Sequence, residues 1–251
     1  MRICQDGTHT FFFIFLLIAA AGSLWETIRA MEAMGGDFFL RVSGHTALLI
    51  TLYFIFDVVD RAGPGKQSLT SVKLIGDSKG RYVALSTVFS NLALPFAFWS
   101  ILELVVVDYA YESQITQLED GDRILLLLGM PVAYLIISLL SSYGRAEEPL
   151  VYWSFLPLGI YYITALVYEN WDNVGATQGI YGKDATDKFF WFRAGEVTAG
   201  DGQIGTFLLA LFVFFAGSAA IIVGWVKLVV PCVKQPTKTV RISQGGPYSG
   251  V

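Results

Sequence analysis

The sequence has little of what most enzymes and secreted domains depend on. Among 251 residues there are two cysteines, two histidines and only 15% charged residues, whereas soluble domains carry about a quarter charged residues. Cys4 and Cys232 are too few for a disulfide framework. His9 and His45 are too few for a histidine-rich metal or haem site. No P-loop, G-x-S-x-G, C-x-x-C or H-E-x-x-H motif occurs. We therefore expect no cofactor, no metal and no nucleic-acid partner.

Hydrophobic residues are abundant instead, and they are grouped in long blocks. They make up 54% of the chain, and the mean hydropathy is +0.56. Apolar blocks of this length predict bilayer-spanning helices, and none alternates as barrel strands do. Six blocks stand out, at about 11–29, 38–60, 83–108, 123–143, 150–168 and 204–230. The predicted fold is all-α, a polytopic integral membrane protein with one transmembrane domain over residues 1–251 and a bundle of about six helices.

The basic residues divide unevenly between the two sides of such a bundle. Eleven of the 17 Lys and Arg residues fall on the side of the termini, and the other six fall on the opposite side. By the positive-inside rule this distribution places both termini on the cytosolic or matrix-like face. It does not distinguish the endoplasmic reticulum from an organelle inner membrane.

The second block, FFLRVSGHTALLITLYFIFDVVDR, carries ionisable residues near both ends. Arg41 and His45 lie one helical turn apart near its start. Asp57 and Asp60 lie near its other end, where we expect them to be solvated. A charged side chain at membrane depth is costly and is normally paired.

An antiparallel hairpin of the second and third blocks supplies a partner for the charge near the start. In that register Arg41 lies at the level of Glu103, and His45 lies at the level of Ser100. The sequence therefore predicts an intramembrane ion pair between Arg41 and Glu103.

Two interpretations of this region remain open. It forms either a functional polar pocket or a structural pair, in which the histidine is bonded to a neighbouring helix. We favour the structural pair. The pocket would comprise Arg41, Ser43, His45, Thr46 and Glu103.

Four stretches resemble one group of six-span membrane proteins and together cover about half of the chain. They are the second block, SNLALPFAFWSILELVVVDYAYE in the third, LLLLGMPVAYLIISLL in the fourth, and PLGIYYITALVYENWDNVGATQGIY in the fifth with its following loop. In this order they resemble the androgen-induced hydrolases of fatty-acid esters of hydroxy fatty acids and the related rolling stone-like proteins.

The resemblance implies a threonine nucleophile early in the second span and a histidine in the fourth. Ser43 or Thr46 lies near the place of the nucleophile, but the fourth block contains no histidine. His45 lies on the second block itself, off the helix face of both hydroxyls. A hydroxyl nucleophile needs a base to attack an ester, so the base that the resemblance implies is missing.

The sequence thus favours a non-catalytic protein, an accessory subunit of a membrane protein complex or a lipid-binding scaffold. Its partners would be membrane lipids and other membrane protein subunits. The alternative is an intramembrane lipid-ester hydrolase, with Ser43, His45 and Thr46 as the candidate catalytic residues. A transporter or channel is less favoured, because the blocks carry few polar residues and no inverted repeat is visible.

Overall fold

Helices dominate the computed structural model, which describes residues 7–62, 70–73, 82–105, 118–142 and 204–229, together with residues 156 and 159. The first elements are α1 (Gly7–Met34), a 3-10 helix (Gly35–Leu40), α2 (Val42–Ala62), strands β1 (Ser71–Lys73) and β2 (Tyr82–Ala84), and α3 (Leu85–Leu102). Helix α4 follows in three continuous segments, Asp120–Ile124, a π-helical turn at Leu125–Gly129, and Met130–Ser142. Helix α5 (Ile204–Gly224) leads into a second π-helical turn at Trp225–Val229.

Among the described residues, four helices are long and apolar enough to cross a membrane, by length and composition. The spans are Phe11–Met34, Val42–Ala62, Leu85–Val105 and Asp120–Leu140. They confirm an all-α chain of membrane-protein type. The expected block at 150–168 lies outside the described residues, except for residues 156 and 159. A count of six spans therefore stays a prediction.

The helix boundaries differ from the hydrophobic blocks by several residues. Helix α1 extends past the block 11–29 at both ends, because helical hydrogen bonding continues beyond the most apolar residues. Helix α2 begins at Val42 rather than residue 38, since the 3-10 helix occupies the preceding residues. Helix α3 begins at Leu85, because the residues before it pair as β2 with β1 in an antiparallel hairpin.

Helix α2 lies at the centre of the bundle and packs mainly against α1 and α3. Phe56 of α2 stacks on Phe89 of α3, with ring centroids 5.3 Å apart and planes 4° apart. Tyr53 of α2 meets Tyr134 of α4 edge to face at 5.3 Å. On the other side of α2, the Arg61 guanidinium lies 5.1 Å from the ring centroid of Phe12 in α1.

Helices α1 to α4 run alternately up and down, so each end of the bundle collects particular termini. The ends of α1 and α3 meet the starts of α2 and α4, as contacts from Arg29 to Asp122 and from Arg41 to Glu103 show. We call this the Arg41 end. The opposite end holds the start of α3 and the β-hairpin, where the Leu85 N–H donates to the Thr70 carbonyl at 3.1 Å.

Candidate functional site

The structure brings Arg41 and Glu103 together at the Arg41 end. Arg41 separates the 3-10 helix from α2 and has an extended backbone, with φ −99° and ψ 144°. Glu103 directly follows the last residue of α3. Arg41 Nη1 lies 3.5 Å from Glu103 Oε1, and the two side chains are 3% and 1% exposed. Two opposite charges are thus buried in contact, at the helix levels expected from the hairpin register.

Glu103 also caps the first turn of α2. The backbone N–H of Ser43 donates to Oε2 at 3.1 Å, and the Ser43 hydroxyl donates to Oε1 at 3.5 Å. The first N–H groups of a helix lack intrahelical partners, and a carboxylate there also interacts favourably with the helix dipole. A neighbouring helix therefore supplies the cap, and the cap and Arg41 together stabilise a buried negative charge.

Thr46 joins α2 to α3 through its hydroxyl. Its Oγ1 lies 2.8 Å from the Val42 carbonyl one turn earlier and 3.0 Å from the Phe96 carbonyl of α3. The acceptor Phe96 follows Pro95, which lies inside α3. Threonine side chains commonly form hydrogen bonds to a neighbouring helix in membrane proteins. The hydroxyl is fully buried and has a structural role in this arrangement.

A second tie between helices lies beside the proline of α4. Pro131 has no N–H for the Leu127 carbonyl four residues earlier, and the Ser100 hydroxyl of α3 donates to that carbonyl at 3.4 Å. The π-helical turn at Leu125–Gly129 lies at the same place, and such turns often accompany irregular helix hydrogen bonding. Ser100 thus lies against the fourth helix.

His45 bonds backbone and holds the entry into α2. Its Nε2 lies 2.7 Å from the Phe39 carbonyl in the 3-10 helix. A carbonyl only accepts, so Nε2 carries the proton and donates. The hydroxyls of Ser43 and Thr46 have acceptors other than this ring. The structure therefore places the three candidate catalytic residues on one turn of α2, with separate partners.

Gly44 completes this region because a side chain there has no room. A Cβ built at Gly44 would overlap the backbone carbonyl of Phe38, whose side chain is fully buried. The absence of a side chain lets the 3-10 helix lie directly against the first turn of α2. The position of Arg41 between them depends on this close approach.

The acids at the far end of α2 are structural as well. Asp57 is 2% exposed and pairs with Arg61, whose Nε lies 3.1 Å from its Oδ1. Asp60 accepts hydrogen bonds from the hydroxyls of Thr70 at 2.6 Å and Ser86 at 2.7 Å. The expectation that these aspartates are solvated is wrong for Asp57, and Asp60 is half-buried. One donor, Thr70, directly precedes β1, and the other, Ser86, lies in the first turn of α3.

Two polar features were not expected from the sequence. A seam between α1 and α2 joins the hydroxyls of Thr27 and Thr51 at 2.9 Å, and Thr27 also donates to the Ala47 carbonyl at 3.5 Å. Glu26, the residue directly before Thr27, is buried in α1. The signal in the sequence is the segment LWETIR, which puts an acid inside the first apolar block.

No group of three or more His, Cys, Asp or Glu residues that could hold a metal ion occurs among the described residues. The whole chain matches no family model, no curated protein and no solved structure. The resemblance to the androgen-induced and rolling stone-like proteins therefore stays a prediction.

Proposed function

We propose that this chain is a non-catalytic accessory subunit of a membrane protein complex. One observation carries the proposal: polar residues at the Arg41 end tie helices together. Ser43 and Thr46 are fully buried, Glu103 is 1% exposed, and their polar atoms bond the backbone or one another. A lipid substrate would need an open approach to a hydroxyl. Because these side chains are buried and already hydrogen-bonded, they favour a scaffold over a hydrolase.

The surface of α1 suits a neighbouring transmembrane helix. Phe11, Ile18 and Trp25 are exposed and recur every seven residues, so they lie along one face of the helix. We call this face the α1 stripe. Gly22 lies between two of these residues and is exposed, with open space around a Cβ built there. Small residues beside large apolar ones let helices approach closely in membranes. Membrane lipid would cover the remaining apolar surface.

Native purification in a mild detergent tests this role. We expect the chain to co-migrate with another membrane protein in fixed stoichiometry. The change Trp25→Ala in the α1 stripe should weaken that association. The matched control is Leu140→Ala, which removes an exposed apolar side chain from α4 and should leave the complex intact. A chain that migrates alone, or one that Leu140→Ala disrupts as strongly, would contradict the proposal.

The alternative function is a lipid-ester hydrolase, and one contact favours it. The Ser43 hydroxyl lies 3.5 Å from Glu103 Oε1, so a carboxylate is placed to accept the hydroxyl proton. A fluorophosphonate probe tests this alternative. Labelling that is lost in Ser43→Ala and kept in Thr46→Ser would support a serine nucleophile. If a control hydrolase reacts with the probe and this chain does not, the hydrolase alternative is wrong.

The side of the membrane is part of the proposal, and the two cysteines allow a direct test. Cys4 and Cys232 lie in the terminal segments of the sequence, which the positive-inside rule assigns to the cytosolic or matrix-like face. A membrane-impermeant maleimide should label them only after the membrane is opened. Labelling of intact right-side-out vesicles would show that the termini lie on the opposite face of the membrane.

A further inference from the structure

Glu26 is a carboxyl group buried inside the span Phe11–Met34. The residue is 2% exposed, and its Oε1 is buried without a hydrogen-bond partner among the described residues. Buried polar atoms are nearly always bonded, so this oxygen needs an explanation. An intramembrane ionisable residue is also a functional candidate by its position.

A salt bridge lies one helical turn beyond Glu26, towards the Arg41 end. Arg29 binds Asp122 through two contacts, Nη2 to Oδ2 at 2.6 Å and Nη1 to Oδ1 at 3.0 Å. Glu26 is three residues before Arg29, which places it about 4.5 Å deeper along the axis. Arg29 is thus paired with another carboxylate, and both charges of this bridge act on Glu26. Among the described residues, the contacts of the Arg29 guanidinium go to Asp122 and none goes to Glu26.

Glu103 shows what a buried carboxylate requires in this bundle. It is as buried as Glu26, and it has Arg41 at 3.5 Å and two donors from Ser43. An ionised carboxylate taken from water without such partners loses several kcal/mol or more. A neutral carboxylic acid loses far less. The two glutamates therefore differ in their partners although their burial is the same.

We propose that Glu26 is a proton-binding site within the membrane part of the protein. It holds a proton as a neutral carboxylic acid at neutral pH. The adjoining Arg29–Asp122 bridge lies towards the Arg41 end of the bundle, and its arginine side chain is 42% exposed. In this proposal the proton exchanges with solvent along this bridge. Glu103, by contrast, has a cation and two hydrogen-bond donors against its carboxylate.

Infrared difference spectroscopy of the full chain in detergent at neutral pH tests the proposal. A neutral carboxylic acid has a C=O stretch well separated from carboxylate bands. We expect that band to disappear in Glu26→Gln and to shift in deuterated water in the unchanged protein. Glu103→Gln should instead remove a carboxylate band. Glu32→Gln, at an exposed position of the same helix, should leave the neutral-acid band unchanged.

The stability of the variants gives an independent readout. Glutamine has the shape and the neutral charge of the protonated acid, so Glu26→Gln should fold and melt within about 1–2 °C of the unchanged chain, because the exchange removes neither volume nor a charge from the buried site. Glu103→Gln should melt lower, since it removes a charge from an ion pair. A neutral-acid band that Glu26→Gln leaves unchanged would overturn the proposal, as would a band insensitive to deuterated water. A Glu26→Gln chain that fails to fold would also contradict it.

Discussion

Replacing Arg41 by leucine tests the main structural claim, that Glu103 is stabilised by the Arg41 guanidinium and by hydrogen-bond donors in the first turn of α2. The change leaves a carboxylate that is 1% exposed without its contact to the Arg41 guanidinium, while the two Ser43 donors stay in place. Removing one partner of a buried pair costs about 3–5 kcal/mol. The Arg41 Nη1 to Glu103 Oε1 distance of 3.5 Å exceeds the ~2.7–2.9 Å of a strong charge-assisted bond. We therefore expect the lower limit, about 3 kcal/mol.

Glu103→Leu should cost more, because it removes two interactions at once. It leaves the Arg41 guanidinium buried beside an apolar side chain. It also leaves the Ser43 N–H without its acceptor at 3.1 Å, which adds about 1–3 kcal/mol. The expected order is therefore Glu103→Leu worse than Arg41→Leu.

The double change separates the ion pair from the cap. With both residues replaced by leucine, neither charge is left alone, and an apolar pair of similar volume is often tolerated. The Ser43 N–H stays without its acceptor, so a loss of about 1–3 kcal/mol remains. The double variant should therefore lose far less than the sum of the single variants, about 1–3 kcal/mol against about 7–9 kcal/mol.

Reversible unfolding in detergent, followed by circular dichroism against denaturant, measures this coupling. The control is Arg29→Leu, whose side chain is 42% exposed and should lose only about 0–1 kcal/mol. Additive losses for Arg41→Leu and Glu103→Leu would refute the ion pair. A Glu103→Leu chain no less stable than Arg41→Leu would refute the cap.

Three further changes test other contacts of the bundle by thermal unfolding in the same detergent. Gly44→Ala should lower stability by about 1–3 kcal/mol, because the new methyl group overlaps the backbone carbonyl of Phe38. The control Gly22→Ala should be neutral or stabilising by up to about 1 kcal/mol, and equal effects of the two changes would contradict the close approach of the 3-10 helix to α2. Trp99→Phe should lose about 0.5–1.5 kcal/mol, since the indole N–H donates to the Ser218 hydroxyl at 2.9 Å and joins α5 to α3. An unchanged melting temperature would show that this hydrogen bond does not stabilise the bundle. Thr46→Val should lose about 1–3 kcal/mol, because it removes the hydroxyl from a fully buried site, whereas Thr46→Ser retains the hydroxyl. The melting temperature of Thr46→Val should therefore be clearly the lower, and equal melting temperatures would argue against the bond from Thr46 to α3.

The pairing of the second and third helices was predictable because two successive apolar blocks of bilayer length cross in opposite directions. They form an antiparallel pair although α2 ends at Ala62 and α3 begins only at Leu85, and the register of that pair then sets which residues share a level. Arg41 with Glu103 follows from that rule. The level expected for His45 was less informative, because the ring turns back to the Phe39 carbonyl. Register determines depth along the axis, whereas side-chain direction depends on the packing of the preceding turn.

Roles that depend on a third element could not be predicted in the same way. Ser100 was expected at the level of His45, yet it donates to the Leu127 carbonyl on α4. Asp57 was expected in water, yet it is buried against Arg61. Each outcome requires a neighbour whose position hydropathy does not encode. Glu26 belongs to the same class, since nothing in LWETIR states which side of the helix is buried.

The sequence by itself determined the class of this protein: an all-α chain of apolar helices long enough to cross a membrane. This follows from the length and composition of its blocks, because backbone groups in lipid must be satisfied within each helix. Only the tertiary structure decided which polar residues are partnered. Burial and hydrogen bonding depend on helix rotation and on contacts between distant segments. Glu103 contacts Arg41 and the Ser43 donors at the start of α2. Glu26 is equally buried but lies one turn from the Arg29–Asp122 salt bridge, whose charges are already paired with each other.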